Sequence, residues 1–303
     1  MLKKLSVHIL SYGGINAFKS LVPFLMLPIL TRYITPKEYG NLSLIETSVL
    51  FIFPFVSLNI HGAINVEYFK LKYNEFKKYV INALFLSFVS FIIFFFVFFI
   101  FSKNISDLIH LAPKWIQLLA FFAFLRVFSS VMLVIFQASG QVKNYALFSL
   151  SQTILDFALS YYLIVFLKEG FIGRIVGVYG ALLIYTIISI FIFYKMGYFK
   201  KTFTLKYTKD ILNFGVPLIL HSVSGVVLAM SDRYFISYFY DNSKVGLYTA
   251  AYQVSAILLL ISLSANQAWS PMFMNLMKEK NFGMVNKIIK ILFILFIVSA
   301  VVV

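Results

Sequence analysis

Nine runs of roughly 20 mostly apolar residues, the length that crosses a bilayer as a helix, divide this chain of 303 residues. They fall at 9–30, 41–62, 80–101, 115–136, 146–167, 174–195, 211–231, 246–268 and 287–303. The stretches between them are too short to hold a soluble domain; the longest runs from about 196 to 210. The predicted fold is therefore all-α, a polytopic transmembrane helical bundle. Composition agrees: 61% of residues are apolar and 12% charged, with a mean hydropathy of +0.91. Soluble domains sit near half apolar and a quarter charged, and a soluble chain of this size has nowhere to hide the excess. The ninth run is still apolar at Val301, Val302 and Val303, with no polar flank. The sequence is expected to continue beyond it.

A net charge of +15 would suggest nucleic acid in a soluble chain. Here Lys and Arg lie mostly in short segments between apolar runs, so the expected contact is with anionic lipid headgroups, not nucleic acid. There are no cysteines, which excludes disulfide and thiol chemistry, and His8, His61, His110 and His221 are scattered without metal-ligand spacing. No glycine loop to cradle phosphate is present, and Asp107 and His110 stand alone in a short loop, so neither a cofactor nor enzymatic activity is expected. Lys3 and Lys4 precede an apolar run longer than a cleavable signal core. With the N-terminus in the cytoplasm, the inner segments hold sixteen Lys and Arg and the outer segments eight. The positive-inside rule favours that orientation. Tyr33, Tyr39, Trp115, Tyr161, Tyr162 and Trp269 lie near predicted span ends, where amphipathic rings collect.

The chain carries traces of a duplication. Ser11-Tyr12-Gly13 opens the first span and Asn213-Phe214-Gly215 the seventh. The first span ends in Thr31-Arg32-Tyr33-Ile34, and the seventh is followed by Asp232-Arg233-Tyr234-Phe235. The offset is 202 for the glycines, 201 for the tyrosines, and 206 for Gly40 and Gly246 at the start of the next helices. Six helices per unit is the natural count, giving two parallel-repeated lobes. Residues 1–197 form the first, 198–210 a basic linker, and 211–303 the start of a second, incomplete lobe. Pro23, Pro28, Pro54 and Pro217 lie within spans, as ordinary kinks or as hinges. Gly173, Gly177 and Gly180 offer a small-residue face for close helix packing.

The stretch Leu30-Thr31-Arg32-Tyr33-Ile34-Thr35-Pro36-Lys37-Glu38-Tyr39-Gly40-Asn41-Leu42-Ser43 resembles the join between the first two helices of bacterial polysaccharide flippases. Ser231-Asp232-Arg233-Tyr234-Phe235-Ile236, followed by Val245-Gly246-Leu247-Tyr248-Thr249-Ala250-Ala251-Tyr252, resembles their seventh-to-eighth stretch. Ala268-Trp269-Ser270-Pro271-Met272-Phe273 is similar to the end of their eighth helix. These flippases belong to the multidrug, oligosaccharidyl-lipid and polysaccharide exporter superfamily. The resemblance implies 12 to 14 helices in two lobes around a central cavity, in the bacterial cytoplasmic membrane. It also implies alternating access that moves a lipid-linked oligosaccharide, on undecaprenyl diphosphate, outward to the machinery that polymerises surface polysaccharide.

Charges amid hydrocarbon cost about 2.5–3.5 kcal/mol each and normally face a cavity or a partner. Lys19, Arg126, Asp156 and His221 fall at the midpoints of their spans, and Glu46 about five residues in from the outer face. Arg126 and Asp156 sit at matched depth on sequential antiparallel helices. They are either a structural ion pair or a switch in which Asp156 exchanges protons and Arg126 binds substrate phosphate. The offset of 202 maps Lys19 onto His221, so both lobes would present positive charge to a diphosphate; the offset of 201 puts Leu220 there instead. The plainer roles are Lys19 paired with Glu46, and His221 as a hydrogen-bonded core residue. Arg32 and Arg233 form the repeat-related pair at the outer mouth, lining the cavity or snorkelling to headgroups, with Asp232 able to compensate Arg233 locally. Asn16, Asn266 and Gln267 are candidates for sugar hydroxyls or for helix–helix hydrogen bonds. The competing readings are a drug or organic-cation exporter of the same superfamily and a membrane glycosyltransferase or acyltransferase. A cation carrier calls for an acidic cavity, whereas Lys19 and Arg126 balance Glu46 and Asp156.

Overall fold

The computed structural model describes residues 2–199 and 204–256, with residues 283, 284 and 293. Two compact units divide it, Met1–Thr249 and Ala250–Val303, and the description below concerns the first. Every element in it is helical, as the apolar runs predict: in hydrocarbon a chain satisfies its backbone internally or not at all.

Helix α1 spans Leu2–Tyr33, with Arg32 in its last turn where a cation complements the helix dipole. Helix α2, Pro36–Ser57, starts on a capping box. Glu38 Oε2 accepts from the Thr35 N–H at 2.8 Å, Thr35 Oγ1 accepts from the Glu38 N–H at 3.3 Å, and Pro36 fills the first position. Next come α3 (Ile60–Tyr68), α4 (Tyr73–Ile100), α5 (Ser102–Ile109) and α6 (Pro113–Ala138). Helix α7 (Val142–Tyr161) widens into a π-turn over Tyr162–Phe166, and α8 covers Gly170–Lys195. Helices α9 (Leu205–Met230) and α10 (Asp232–Phe239) follow, and α11 begins at 242 and runs over 242–249 of this unit. Among the described residues six helices are long and apolar enough to cross a membrane: α2, α4, α6, α7 with its π-turn, α8 and α9.

Helix α6 is the centre of the packing. Ile116, Ala120, Ala123, Val127 and Val131 are fully buried, at the i, i+3, i+4 spacing of one helical face. The predicted small-residue face on α8 is real in part. A Cβ on Gly177 would come within 2.7 Å of the Ser160 backbone, and one on Gly173 within 3.1 Å of Leu163, while Gly180 faces open space. Helices α7 and α8 therefore meet backbone to backbone.

Three features differ from the sequence reading. The second span is broken at Leu58 and Asn59, both left-handed at φ 48° and 47°, so α2 ends there and α3 begins anew. The short helices α5 and α10 occupy stretches read as loops; each is amphipathic and too short to register as an apolar run. Helix α9 begins at Leu205, six residues before the predicted span, because its first turns are anchored by polar bonds to α4 instead of by lipid. Tyr79 donates to Asp210 at 2.9 Å, Tyr207 donates to Glu75, and the Thr204 N–H donates to Asn82 Oδ1 at 2.9 Å. Nearby, Lys77 Nζ donates to the Met196 carbonyl at 2.6 Å, capping the C-terminal end of α8. The eighth and ninth predicted spans, with Asn266, Gln267, Trp269 and Pro271, lie outside the described residues except for the start of the eighth and residue 293 of the ninth.

Candidate functional site

At the turns joining α1 to α2 and α10 to α11, residues at a constant interval along the chain come together. Gly40 and Gly246 are 206 residues apart, as are Pro36 and Asn242, and Ser43 and Thr249. A Cβ on Gly40 would collide with the carbonyl of Asn242, and one on Gly246 with the carbonyl of Pro36, so the exclusion is reciprocal. One turn further along, Ser43 Oγ and Thr249 Oγ1 share a hydrogen bond of 2.8 Å. A self-complementary contact of this kind, where residue i meets j′ and j meets i′, is what a two-fold relation produces.

Polar bonds frame this contact. Arg233, only 4% exposed, donates Nε to Ser43 Oγ at 3.1 Å. Asp232 Oδ1 accepts the Arg233 N–H at 2.9 Å, and Tyr248 donates its hydroxyl to Asp232 Oδ2. The buried Asn242 gives Nδ2 to Asn41 Oδ1 at 2.6 Å and to the His110 carbonyl at 2.8 Å, while its Oδ1 accepts from Ser237 at 2.7 Å. His110 Nδ1 lies 2.8 Å from the Ser237 carbonyl, so the end of α5 is sewn to α10. Asp241 Oδ1 accepts the N–H groups of Ser243 and Lys244 at 2.6 and 3.0 Å. Those backbone bonds hold its carboxyl below the usual aspartate range.

Of the predicted outer-mouth pair, Arg233 is thus buried and compensated by Asp232, whereas Arg32 is exposed at the end of α1. Asn242, Ser43 and Thr249 were not singled out in the sequence. The signal was available: carrying the glycine offset of 206 three residues either way reaches Ser43 and Thr249, and nearly reaches Asn242.

The intramembrane charges are arranged differently from the sequence reading. Asp156 does not pair with Arg126. Its Oδ1 accepts from Arg174 Nη1 at 2.6 Å and from Ser160 Oγ at 3.1 Å, and Arg174 also donates to Ser160 at 2.8 Å. Matched depth sets height but not azimuth. Asp156 and Ser160 are one turn apart on the face of α7 that Gly177 brings against α8, and Arg174 lies one turn before Gly177. Arg126 instead places its guanidinium 5.9 Å from the ring centre of Tyr179, which stacks on Phe122 at 3.8 Å. Its Nε is buried with no hydrogen-bond partner among the described residues.

Lys19 and Glu46 are both half-buried and make no ion pair with each other. Because α2 starts at Pro36, Glu46 lies ten residues in, about 15 Å along the helix. His221 is exposed on α9, away from the buried stripe of Tyr207, Ile211, Gly215 and Ile219. The side chain of Asn16 lies outside what is described. A cavity of about 290 Å³ between α2, α4, α5, α6, α9 and α10 is lined by Thr47, Ser48, Phe51, Val227, Ser231 and Tyr234 among others. None of the predicted charged residues lines it. Among the described residues no cluster has the makings of a metal site.

Comparison with known proteins follows this geometry. The family described as "Polysaccharide biosynthesis protein" matches residues 2–277. Two Haemophilus influenzae proteins are similar: "Lsg locus putative protein 1", 27% identical over 271 residues, covering 86% of this chain and 63% of that protein, and an "Uncharacterized membrane protein", 26% identical over 283 residues, covering 92% and 66%. The chain thus spans just under two thirds of the length of the curated relatives it matches. Among solved structures, an inward-facing multidrug resistance MATE family transporter of the MOP superfamily matches with a TM-score of 0.62 at 14% identity, covering 80% of this chain and 59% of that one. A MATE protein in complex with MaD3S matches at 0.58 and 17%, covering 88% and 64%. The helical bundle is therefore shared with these transporters, and the chain, a multi-pass membrane protein, belongs to the polysaccharide biosynthesis protein family.

Proposed function

We propose that this protein transports a lipid-linked oligosaccharide, on a carrier such as undecaprenyl diphosphate, from the cytoplasmic to the outer leaflet for surface polysaccharide assembly. The N-terminus lies in the cytoplasm, the basic turns around Lys70, Lys72, Lys77, Lys78 and Lys143 meet anionic headgroups there, and the Gly40–Gly246 contact closes the outer face. The observation that carries the reading is that contact. A reciprocal seam between repeat-related turns, made of two glycines and a hydroxyl pair, is a surface that separates and re-forms without unfolding either side. Alternating access requires such a seam on each face in turn.

Family membership supports a polysaccharide precursor as cargo. Lys19 and Arg126 suit an anionic carrier headgroup, since neither forms an ion pair with a carboxylate among the described residues. The delivered units would feed a polymerase at the outer surface.

The reading is tested by expressing the protein in a strain that lacks its own flippase and supplies defined lipid-linked repeat units. Restored surface polysaccharide supports it. Failure with every lipid-linked sugar, together with export of cationic dyes, would replace it with the drug-exporter reading that the shared MATE fold keeps in view.

A further inference from the structure

Helices α6, α7 and α8 leave a groove between them at the end of the bundle where α7 begins and α8 stops. It encloses about 440 Å³, the size of a small-molecule site. Its walls are Leu147 and Phe148 of α7, Ile188 and Ile192 of α8, and Phe136 near the end of α6. Phe148 stands edge-on to Tyr185 at 4.9 Å between ring centres and to Phe136 at 6.1 Å, so the aromatic wall is braced from both sides. The Tyr185–Ser151 and Arg174–Asp156 bonds show that α7 and α8 run antiparallel. Seven residues separate Asn144 from Ser151 on one wall, and seven separate Tyr185 from Ile192 on the other. Each wall is therefore about 10 Å deep, which fits inside the hydrocarbon of one leaflet, about 15 Å.

The two ends of the groove differ in chemistry. At the inner end Tyr185 donates its hydroxyl to Ser151 Oγ, and Ser151 donates to the Leu147 carbonyl, so both hydroxyls are in use. An apolar space of that kind offers water no partner and stays dry. Leu147 is 71% exposed, so the groove opens sideways to the bilayer. At the outer end sit two amides. Asn144 Nδ2 donates to Gln141 Oε1 at 2.6 Å, which leaves Gln141 Nε2 with no bond to any described residue. Lys195 is exposed at i+3 from Ile192 and i+7 from Ile188, on the rim of the same helical stripe, and the exposed Lys143 adjoins Asn144. No Asp or Glu occurs at 108–155 or at 170–209. From α4, Lys77 reaches the Met196 carbonyl at 2.6 Å, while Glu75 is held by Lys78 at 2.8 Å and by Tyr207. The rim is cationic, and the stretches of helix that build it carry no opposing carboxylate.

We infer that this groove holds one acyl chain of an anionic bilayer phospholipid, whose phosphate lies at the rim between Lys195 and the Gln141 and Asn144 amides. Walls open to hydrocarbon take the chain and the cationic rim takes the headgroup, in the order in which a lipid presents them. No residue of α2, α9, α10 or α11 lines the groove, so it stands apart from the Gly40–Gly246 seam. A carrier lipid has to leave with its cargo. A lipid in this groove stays, and ties the α6–α7 turn to the end of α8. The inference does not depend on what the cargo is.

The test is native mass spectrometry and thermal unfolding of the purified protein in detergent, titrated with phosphatidylglycerol, phosphatidylcholine or undecaprenyl phosphate. The expected result is one retained phosphatidylglycerol per protein and a saturable rise in unfolding temperature, with phosphatidylcholine at least about tenfold weaker. K195E should weaken phosphatidylglycerol about tenfold. L147W fills the groove from an exposed position and should remove the saturable response. K103E makes the same charge change on α5, at the opposite end of α4 from the Lys77–Met196 bond, and should leave binding intact. A photoreactive amino acid at position 147 should cross-link to phospholipid. Equal responses to phosphatidylcholine and phosphatidylglycerol, or equal losses in K103E and K195E, would overturn the proposal by reducing it to diffuse attraction. Tighter binding of undecaprenyl phosphate would overturn it in favour of the carrier lipid, and cross-linking of position 147 to a polypeptide in favour of a protein contact.

Discussion

Ser43 and Thr249 share a hydrogen bond of 2.8 Å, and they stand at the same interval along the chain as Gly40 and Gly246, which exclude any side chain from each other's backbone. Hydroxyl pair and glycine pair lie one helical turn apart on the same two helices. The weak bond and the close approach therefore belong to one seam, which opens by parting α2 from α11 at little enthalpic cost. A net hydrogen bond is worth about 1 kcal/mol, whereas a bulky apolar interdigitation would have to be unpacked.

A disulfide should lock that seam. The chain has no cysteine of its own, so S43C combined with T249C introduces the only pair. Hydroxyls 2.8 Å apart place their Cβ atoms within reach of the roughly 3.5–4.5 Å that a disulfide spans. Mild oxidation is expected to cross-link the pair and stop transport, and reductant to restore it. A cross-linked protein that transports at full rate would show that the seam does not open.

Adding one methyl group should force the seam apart. In G40A the new Cβ lies 2.7 Å from the carbonyl carbon of Asn242, and in G246A 2.9 Å from that of Pro36. Both obstacles are backbone, which cannot swing away. Overpacking costs about 1–3 kcal/mol, roughly a five- to hundredfold shift of the closed population. Thiol labelling of S43C should accelerate accordingly in both variants. Similar acceleration from either side is what a reciprocal contact demands; a large effect from one glycine alone would argue against it.

The Asp156–Arg174 bond should be structural. Arg174 and Asp156 side chains are 11% and 22% exposed, and Ser160 completes a three-membered network with them. Removing one member of a buried pair costs about 3–5 kcal/mol, and the partial exposure of Asp156 points to the lower end, about 3 kcal/mol. D156N is expected to lower the unfolding temperature in detergent. D156L with R174M should recover much of the loss, because no charge is then stranded. If the double variant were as unstable as the single, the ion pair itself would be contributing net stability.

Asp241 gives the start of α11 a pH dependence with a definite sign. Backbone bonds from Lys244 and Ser243 favour its charged form and depress its pKa from 3.8. Its contribution is fully present above that ordinary value and lost as pH falls through the depressed one. Hydrogen exchange at the Ser243 and Lys244 amides should therefore be insensitive to this group from neutrality down to the ordinary aspartate range, and rise only below it. In D241A the protection should be missing at every pH, while D241N, which retains an accepting oxygen, should keep most of it.

How far the sequence could be read depends on which coordinate is asked for. Height along the membrane is written in apolar runs of the right length, so α4, α6, α8 and α9 are found to within a few residues at most ends. Azimuth is not written there. Arg126 and Asp156 do fall near the middles of their helices, yet Asp156 turns towards α8 because Gly177 admits Ser160 at its backbone, a contact between elements that no single-helix pattern encodes. The α2–α3 break escaped for a different reason. Leu58 and Asn59 carry no glycine or proline at the break itself, and their conformation is maintained by Ser87, Ser90 and Ser222 from other helices. The interval of 206 pointed to a pair that does meet, Gly40 and Gly246, because backbone contact tolerates only glycine there; at Lys19 and His221 the two offsets disagree and gave no such guide.

Glu46 is the carboxylate on which ion coupling should depend. It lies ten residues into α2, is half-buried, and has no salt bridge among the described residues, whereas Asp156 is engaged by Arg174 and Asp232 by Arg233 and Tyr248. An intramembrane carboxylate without a protein partner is costly unless a proton or a cation meets it. Binding and release of that ion is a cycle that a carboxylate already held by arginine does not perform. E46Q keeps the size and removes the charge. In proteoliposomes it should transport down the cargo gradient but lose acceleration by an imposed proton or sodium gradient, while D156N, at matched folded protein, should keep that acceleration. The opposite pattern, gradient dependence surviving in E46Q and vanishing in D156N, would return the coupling role to the α7–α8 pair and leave Glu46 as a packing residue of α2.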